Sequence, residues 1–311
     1  MAEVRLEAGP YALSLRPEIG GAIAQFTWRH PDGRRLDLMR PMSETAIAAG
    51  NSGDAACFPL FPYSNRIRRG RFTFEGVDYQ LPMNTEESNP QHGHGWQRNW
   101  NVLERASAQA TIGFTHDPAQ DPGWPFAYEA RQSFALDADG LSVTLLARNR
   151  DHRAMPFGFG LHPYFPRGGG ARLTATVTGY WNADRDVMPT EHVGVPATYD
   201  LNRGLTMRDV VIDNVFTGFG GRAEIDWPEW QTRLVMAASE SLGQLVVYVP
   251  DQATQAAESA TGMAPYFCAE PVSNITDAVN LDRADNGLIV LAPGATVEAI
   301  VRFTAEPVTS G

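Results

Sequence analysis

Lysine is absent: all 25 basic residues of the 311 are arginine. Without a lysine amine the chain cannot form a substrate Schiff base, anchor pyridoxal phosphate or supply a phosphate-loop lysine. Cysteine is scarce too. Cys57 and Cys268 alone cannot build a disulfide framework or a cysteine-rich metal or cluster site, and they fit a reducing, cytoplasmic location. Positive charge is in deficit. With 36 acidic residues and a net charge of -11, affinity for nucleic acid through phosphate neutralisation is not expected. Long apolar runs are missing as well, so no membrane is expected as a partner. Residues 1–15 interleave Glu3, Arg5 and Glu7 with apolar positions, unlike a secretory leader. A 43 % hydrophobic share nevertheless supplies a large core and argues against disorder.

The dominant periodicity is two. Tyr11, Leu13 and Leu15 alternate with smaller or polar residues, and Phe26 and Trp28 resume the pattern after Gly20-Gly21. Residues 72–74 and 77–81 flank Glu75-Gly76, and residues 134–136 and 141–145 flank Asp139-Gly140, two hairpin signals. Further strand patterns follow at 173–177, 234–236, 245–249, 288–291 and 297–303. Only residues 252–259 suggest a helix, and they lack a long apolar stripe. Regular crossover helices are therefore not expected, and the pattern predicts an all-β fold, with antiparallel sheets laid face to face. No stretch reads as a linker, so one domain over 1–311 is expected, with Gly168-Gly169-Gly170 as a loop and a frayed tail from Val308.

Neither a Gly-x-Gly-x-x-Gly dinucleotide fingerprint nor a Gly-x-Ser-x-Gly nucleophile elbow occurs. Chemistry must come from five other stretches. Residues 59–71 hold Asn65 and Arg66 where a proline-stiffened loop meets a hairpin, a good place for donors to a polar ligand. Arg68, Arg69 and Arg71 read more simply as a solvated edge paired with Glu75 or Asp78. In Asn89-Pro90-Gln91-His92-Gly93-His94-Gly95-Trp96, the two histidines would face opposite ways on an extended chain, a poor joint metal clamp. His162, fixed by Pro163 and surrounded by aromatics, can exchange a proton near neutral pH. Asp213 and Glu270 each sit inside an apolar or aromatic run, where a carboxylate needs a partner or a task. Cys268 has no nearby base and reads as a small apolar filler.

Asn65-Arg66-Ile67, His92-Gly93, His162-Pro163-Tyr164-Phe165, Asp213-Asn214-Val215-Phe216 and Phe267-Cys268-Ala269-Glu270-Pro271 together resemble, in order, the motifs of the aldose 1-epimerases, or galactose mutarotases. The resemblance implies a large antiparallel β-sandwich with a concave sugar-binding cleft. It assigns Glu270 as the base at the anomeric hydroxyl and His162 as the acid at the ring oxygen. Arg66, His92, Asp213 and Asn65 would bind the sugar, with neither metal nor organic cofactor, in a monomer or homodimer. Either His92 or His94 could fill the binding position, and Trp100 downstream favours His92. Three other readings stand beside mutarotation of a free aldose. They are anomerisation of a phosphorylated hexose if the arginines turn inward, sugar binding without turnover, and glycoside hydrolysis by Asp213 and Glu270.

Overall fold

Hairpin turns set the first local choices. Arg71–Phe74 and Val77–Gln80 pair across Glu75-Gly76, both at positive φ of 49° and 76°, the backbone that matches strand twist. The second hairpin, Tyr128–Asp137 with Gly140–Asn149, turns one residue earlier than the Asp139-Gly140 signal suggests. Asp137 Oδ1 accepts from the Asp139 and Gly140 backbone N–H groups at 2.8 and 2.9 Å and so closes the turn itself. Gly140 is required by proximity instead: a Cβ there would stand 2.1 Å from the Phe303 carbonyl oxygen.

The computed structural model describes residues 3–260 and 262–308, so the tail beyond Val308 lies outside the described residues. Its two large sheets are antiparallel β-structure. One has eleven strands and places Cys57–Leu60, Gly160–Pro166, Tyr266–Val272, Gln244–Val249 and Ile212–Thr217 side by side at its centre. The other has nine strands and includes Gly140–Asn149 and Thr296–Pro307. Leu161, Phe165, Phe267 and Ala269 from the first sheet share one buried core with Val143, Leu145, Val301 and Phe303 from the second. This is the antiparallel two-sheet sandwich that the alternation predicts. Helices are short: Gln252–Ala260, near the predicted position, and Glu44–Ala49, which carried no stripe to announce it. Among the described residues no helix is long and apolar enough to cross a membrane.

Candidate active site

Because strand side chains alternate, each core residue of the central strands implies a neighbour on the opposite face. His162 lies opposite Phe58, Tyr164 opposite Cys268, Glu270 opposite Val246, and Asp213 opposite Tyr248. Phe58, Tyr164, Val246 and Cys268 belong to a second apolar cluster, separate from the core between the sheets. On this face a cavity of about 320 Å³ is lined by His162, Glu270, Asp213, Asn65, Arg66 and His92. All six residues predicted from sequence therefore meet in one place.

At its floor His162 Nε2 stands 3.3 Å from Glu270 Oε1, with the two residues 7 % and 2 % exposed. Trp96, Phe58, His162 and Tyr164 form an aromatic row, with successive ring centroids 5.2, 4.5 and 4.7 Å apart and near-parallel planes. That row gives the cavity an aromatic wall.

The remaining groups arrive on loops. Asn65 and His92 both take positive φ, 58° and 59°, uncommon for residues with a Cβ. Asn65 N–H donates to His92 Nδ1, so the neutral imidazole carries its proton on Nε2. Arg66 Nε donates to Glu87 at 3.0 Å, Nη1 to Asn65 Oδ1 at 3.3 Å, and Nη2 lies 3.6 Å from Asp213. The Arg66 loop is tied to the end of the Glu270 strand. Asn274 Oδ1 accepts from Ser64 N and Oγ, its Nδ2 donates to the Ser64 carbonyl, and Asp277 N–H donates to the Arg66 carbonyl.

Burial governs the protonation of these groups. It pushes the Glu270 carboxyl well above the usual range, Asp213 adding to the effect and the Arg66 charge opposing it. Burial takes the His162 imidazole down to about 3, with the Arg40 and Arg66 charges adding. Burial also lowers His92 well below its ordinary value, helped by His162 and Arg66. Asp213 is raised by burial and partly restored by Arg66. Burial thus disfavours charge on both members of the His162–Glu270 pair, which stand close enough for a proton to pass between them. Burial holds the Cys268 thiol protonated, in keeping with a filler.

His94 does not line the cavity. It turns away to the Tyr128 hydroxyl at 3.1 Å, leaving His92 as the histidine of this segment in the site. Arg68, Arg69 and Arg71 stay outside the cavity wall, but not with the partners expected. Arg68 approaches Asp184 and Asp277, and Arg71 donates to Gln80. Sequence reasoning missed Glu87, Phe58 and Tyr248, which also line the cavity. Tyr248 had a usable signal, since it shares strand parity with Val246 and points to the same face as Glu270's neighbour. His162, Cys268 and Glu270 bring ligand-type atoms within 4.8 Å of one another, as do His94, His116 and Asp121 elsewhere.

Residues 3–304 match the family model of the aldose 1-epimerases. YphB of Escherichia coli K12, an uncharacterized protein, is 31 % identical over 291 residues, 92 % of this chain and 93 % of that one. The crystal structure of an aldose 1-epimerase candidate from Escherichia coli K12 superposes with a TM-score of 0.87 at 29 % identity, covering 99 % of both chains. A galactose mutarotase-like protein from Clostridium acetobutylicum shares the fold at TM-score 0.82 and 21 % identity, over 97 % of this chain and 94 % of that one. Spanning nearly its whole length, these matches place the chain in the aldose 1-epimerase family.

Proposed function

We propose that the protein interconverts the α and β anomers of a free aldopyranose. The observation that carries this reading is the buried His162–Glu270 pair, 3.3 Å apart at the floor of a sugar-sized cavity. Starting from the reactive form with Glu270 ionised and the proton on His162, Glu270 takes the proton of the anomeric hydroxyl while His162 delivers its own to the ring oxygen. The C1–O5 bond breaks, C1 becomes an aldehyde carbon, and rotation about C1–C2 presents its other face to O5. Reclosure returns both protons by the reverse transfers, so the enzyme is unchanged. Arg66 favours the carboxylate form of Glu270 that the first transfer needs. The His92 Nε2–H and the Arg66 fork donate to sugar oxygens, Asp213 and Asn65 accept or exchange hydrogen bonds with hydroxyls, and Trp96 and Phe58 cover the apolar face. Positioning and one proton relay suffice because hemiacetal opening already proceeds in water.

The wall favours an unphosphorylated substrate. Glu87, Asp213 and Glu270 bring carboxylates to the cavity, whereas Arg68, Arg69 and Arg71 do not face it. A sugar phosphate dianion would meet like charge without a convergent arginine patch. With both cysteines free and buried, the protein suits a reducing, cytoplasmic setting.

Polarimetry of freshly dissolved α-glucose, α-galactose and glucose 6-phosphate tests the reading. Faster equilibration of a free aldose supports it. Acceleration confined to the phosphorylated sugar, or thermal protection by sugars without any acceleration, would replace it.

A further inference from the structure

The second histidine of His92-Gly93-His94 has no task in the sugar cavity. His94 is only 2 % exposed, and its Nδ1 has no well-aligned hydrogen-bond partner, although the Gly123 backbone lies beside it. A buried ring nitrogen left in that state costs about 1–3 kcal/mol. His94 Nε2 lies 3.1 Å from the Tyr128 hydroxyl, which can accept from Nε2–H and leave the lone pair on Nδ1.

Beside it, 4.4 Å away between ring centroids, stands His116 at the end of the strand Gln109–His116. Its Nε2 lies 2.7 Å from the Trp124 carbonyl. A carbonyl only accepts, so His116 bears its proton on Nε2 and offers a lone pair at Nδ1. That lone pair lies 3.8 Å from Asp121 Oδ2. Two acceptors at this distance leave room for a bound cation between them. Asp121 is oriented: Arg98 donates to both of its oxygens and the Gly123 N–H to Oδ1, with Oδ2 the oxygen nearer His116.

Gly123 backs the gap. A Cβ there would stand 2.7 Å from His94 Nδ1 and 3.1 Å from Asp121 Oδ1. His94, Asp121 and Gly123 also border a cavity of about 210 Å³, distinct from the sugar site, with room for water.

We propose that His94 Nδ1, His116 Nδ1 and Asp121 Oδ2 bind one zinc-class divalent ion, with water from the adjoining cavity as the fourth ligand. Two imidazoles and a carboxylate match the ligand preference of such ions. One ligand-type atom from each of His94, His116 and Asp121 lies within 4.8 Å of the others, and closing on an ion at about 2.0–2.2 Å asks only for side-chain shifts. Tyr128 and the Trp124 carbonyl supply the outer contacts to the two rings, and Arg98 holds the Asp121 carboxylate. The ion would tie the Asp121–Trp124 loop to the sheet and to the segment that carries His92. Its role is structural, and the anomer exchange does not depend on it.

The full-length protein, stripped with chelator, is titrated with zinc sulfate by calorimetry and with cobalt(II) by visible absorption. Expected are one ion per chain, the intense bands of a four-coordinate cobalt site and a higher Tm with zinc. Asp121→Asn and Gly123→Ala should each weaken binding about tenfold or more. Asp121→Asn should leave sugar anomer exchange intact, and Glu270→Gln should leave zinc affinity intact. No binding at micromolar zinc would overturn the proposal. So would binding that survives both Asp121→Asn and Gly123→Ala but is lost in Glu270→Gln, which would place the ion at His162, Cys268 and Glu270.

Discussion

Asn65 and His92 hydrogen-bond to each other in both directions: the His92 N–H donates to the Asn65 carbonyl at 2.7 Å, and the Asn65 N–H donates to His92 Nδ1 at 3.1 Å. One backbone pair thereby fixes both the position and the tautomer of the imidazole. His92 presents Nε2–H to the cavity as a donor, not a base. Replacing His92 with Phe keeps a ring but removes this donor. The expected loss in kcat/KM is about 10- to 100-fold, in the range of a charge-free to charge-assisted hydrogen bond, with folding retained. Steady-state anomer-exchange kinetics with a circular dichroism control measure it. Unchanged kinetics would remove His92 from the binding set.

Asn274 carries no chemistry but joins the Arg66 loop to the strand of Glu270 through bonds to Ser64 and Ile275, all buried. Asn274→Ala strips the side-chain bonds at once and leaves only the Ser64 Oγ bond to the Asn274 carbonyl. Urea unfolding should show a destabilisation of about 2–4 kcal/mol, since several buried backbone groups lose their hydrogen bonds together. A change within about 0.5 kcal/mol, the scale of a neutral surface substitution, would contradict this role.

The buried titratable groups set an acid limb. His162 and His92 have folded-state values below the unfolded 6.5, so their stabilising contributions are present above about pH 6.5 and are lost as pH falls, for His162 down to about 3. Glu270 is shifted up, so its contribution is full below its unfolded 4.5 and is lost as pH rises through the higher folded value. As pH falls through 6.5 the unfolded chain therefore takes up imidazole protons that the folded chain does not, while Glu270 opposes that loss by holding its proton more tightly folded than unfolded. Glu270→Gln removes that compensation. Its stability should fall more steeply than wild type on acidification, by at most about 1.4 kcal/mol per pH unit, the slope of one whole proton, in parallel denaturant titrations. Equal slopes would show that Glu270 is ionised in the folded protein.

Much of this architecture is legible in the linear chain. Alternation identified the strands around Leu13, Leu234 and Val247, and turn chemistry identified the hairpin at Glu75-Gly76, because both signals are local. Glu270 and Asp213 could be singled out because a carboxylate in an apolar strand is locally anomalous. What escaped is what contact between distant segments creates. Glu87 is one acidic residue in a polar loop until Arg66 reaches it, and Trp96 joins the aromatic row only when its loop folds over Phe58. The His94 environment was hidden for the same reason, since His116 and Asp121 come from a strand end and a loop with no metal-type spacing to the histidine pair. The order of strands in the larger sheet is equally non-local, as the Gly160–Pro166 strand takes the Tyr266–Val272 strand as its neighbour.

Saturation-transfer NMR between the α and β anomeric protons of an accepted free aldose reads the proton relay at His162 and Glu270 most directly. Wild-type protein should speed the exchange. His162→Asn and Glu270→Gln should each lower kcat about 10²- to 10⁴-fold while remaining folded, and the double variant should be no slower than the worse single, because the two residues act as one relay. A folded single variant that exchanges anomers at the wild-type rate would contradict the account.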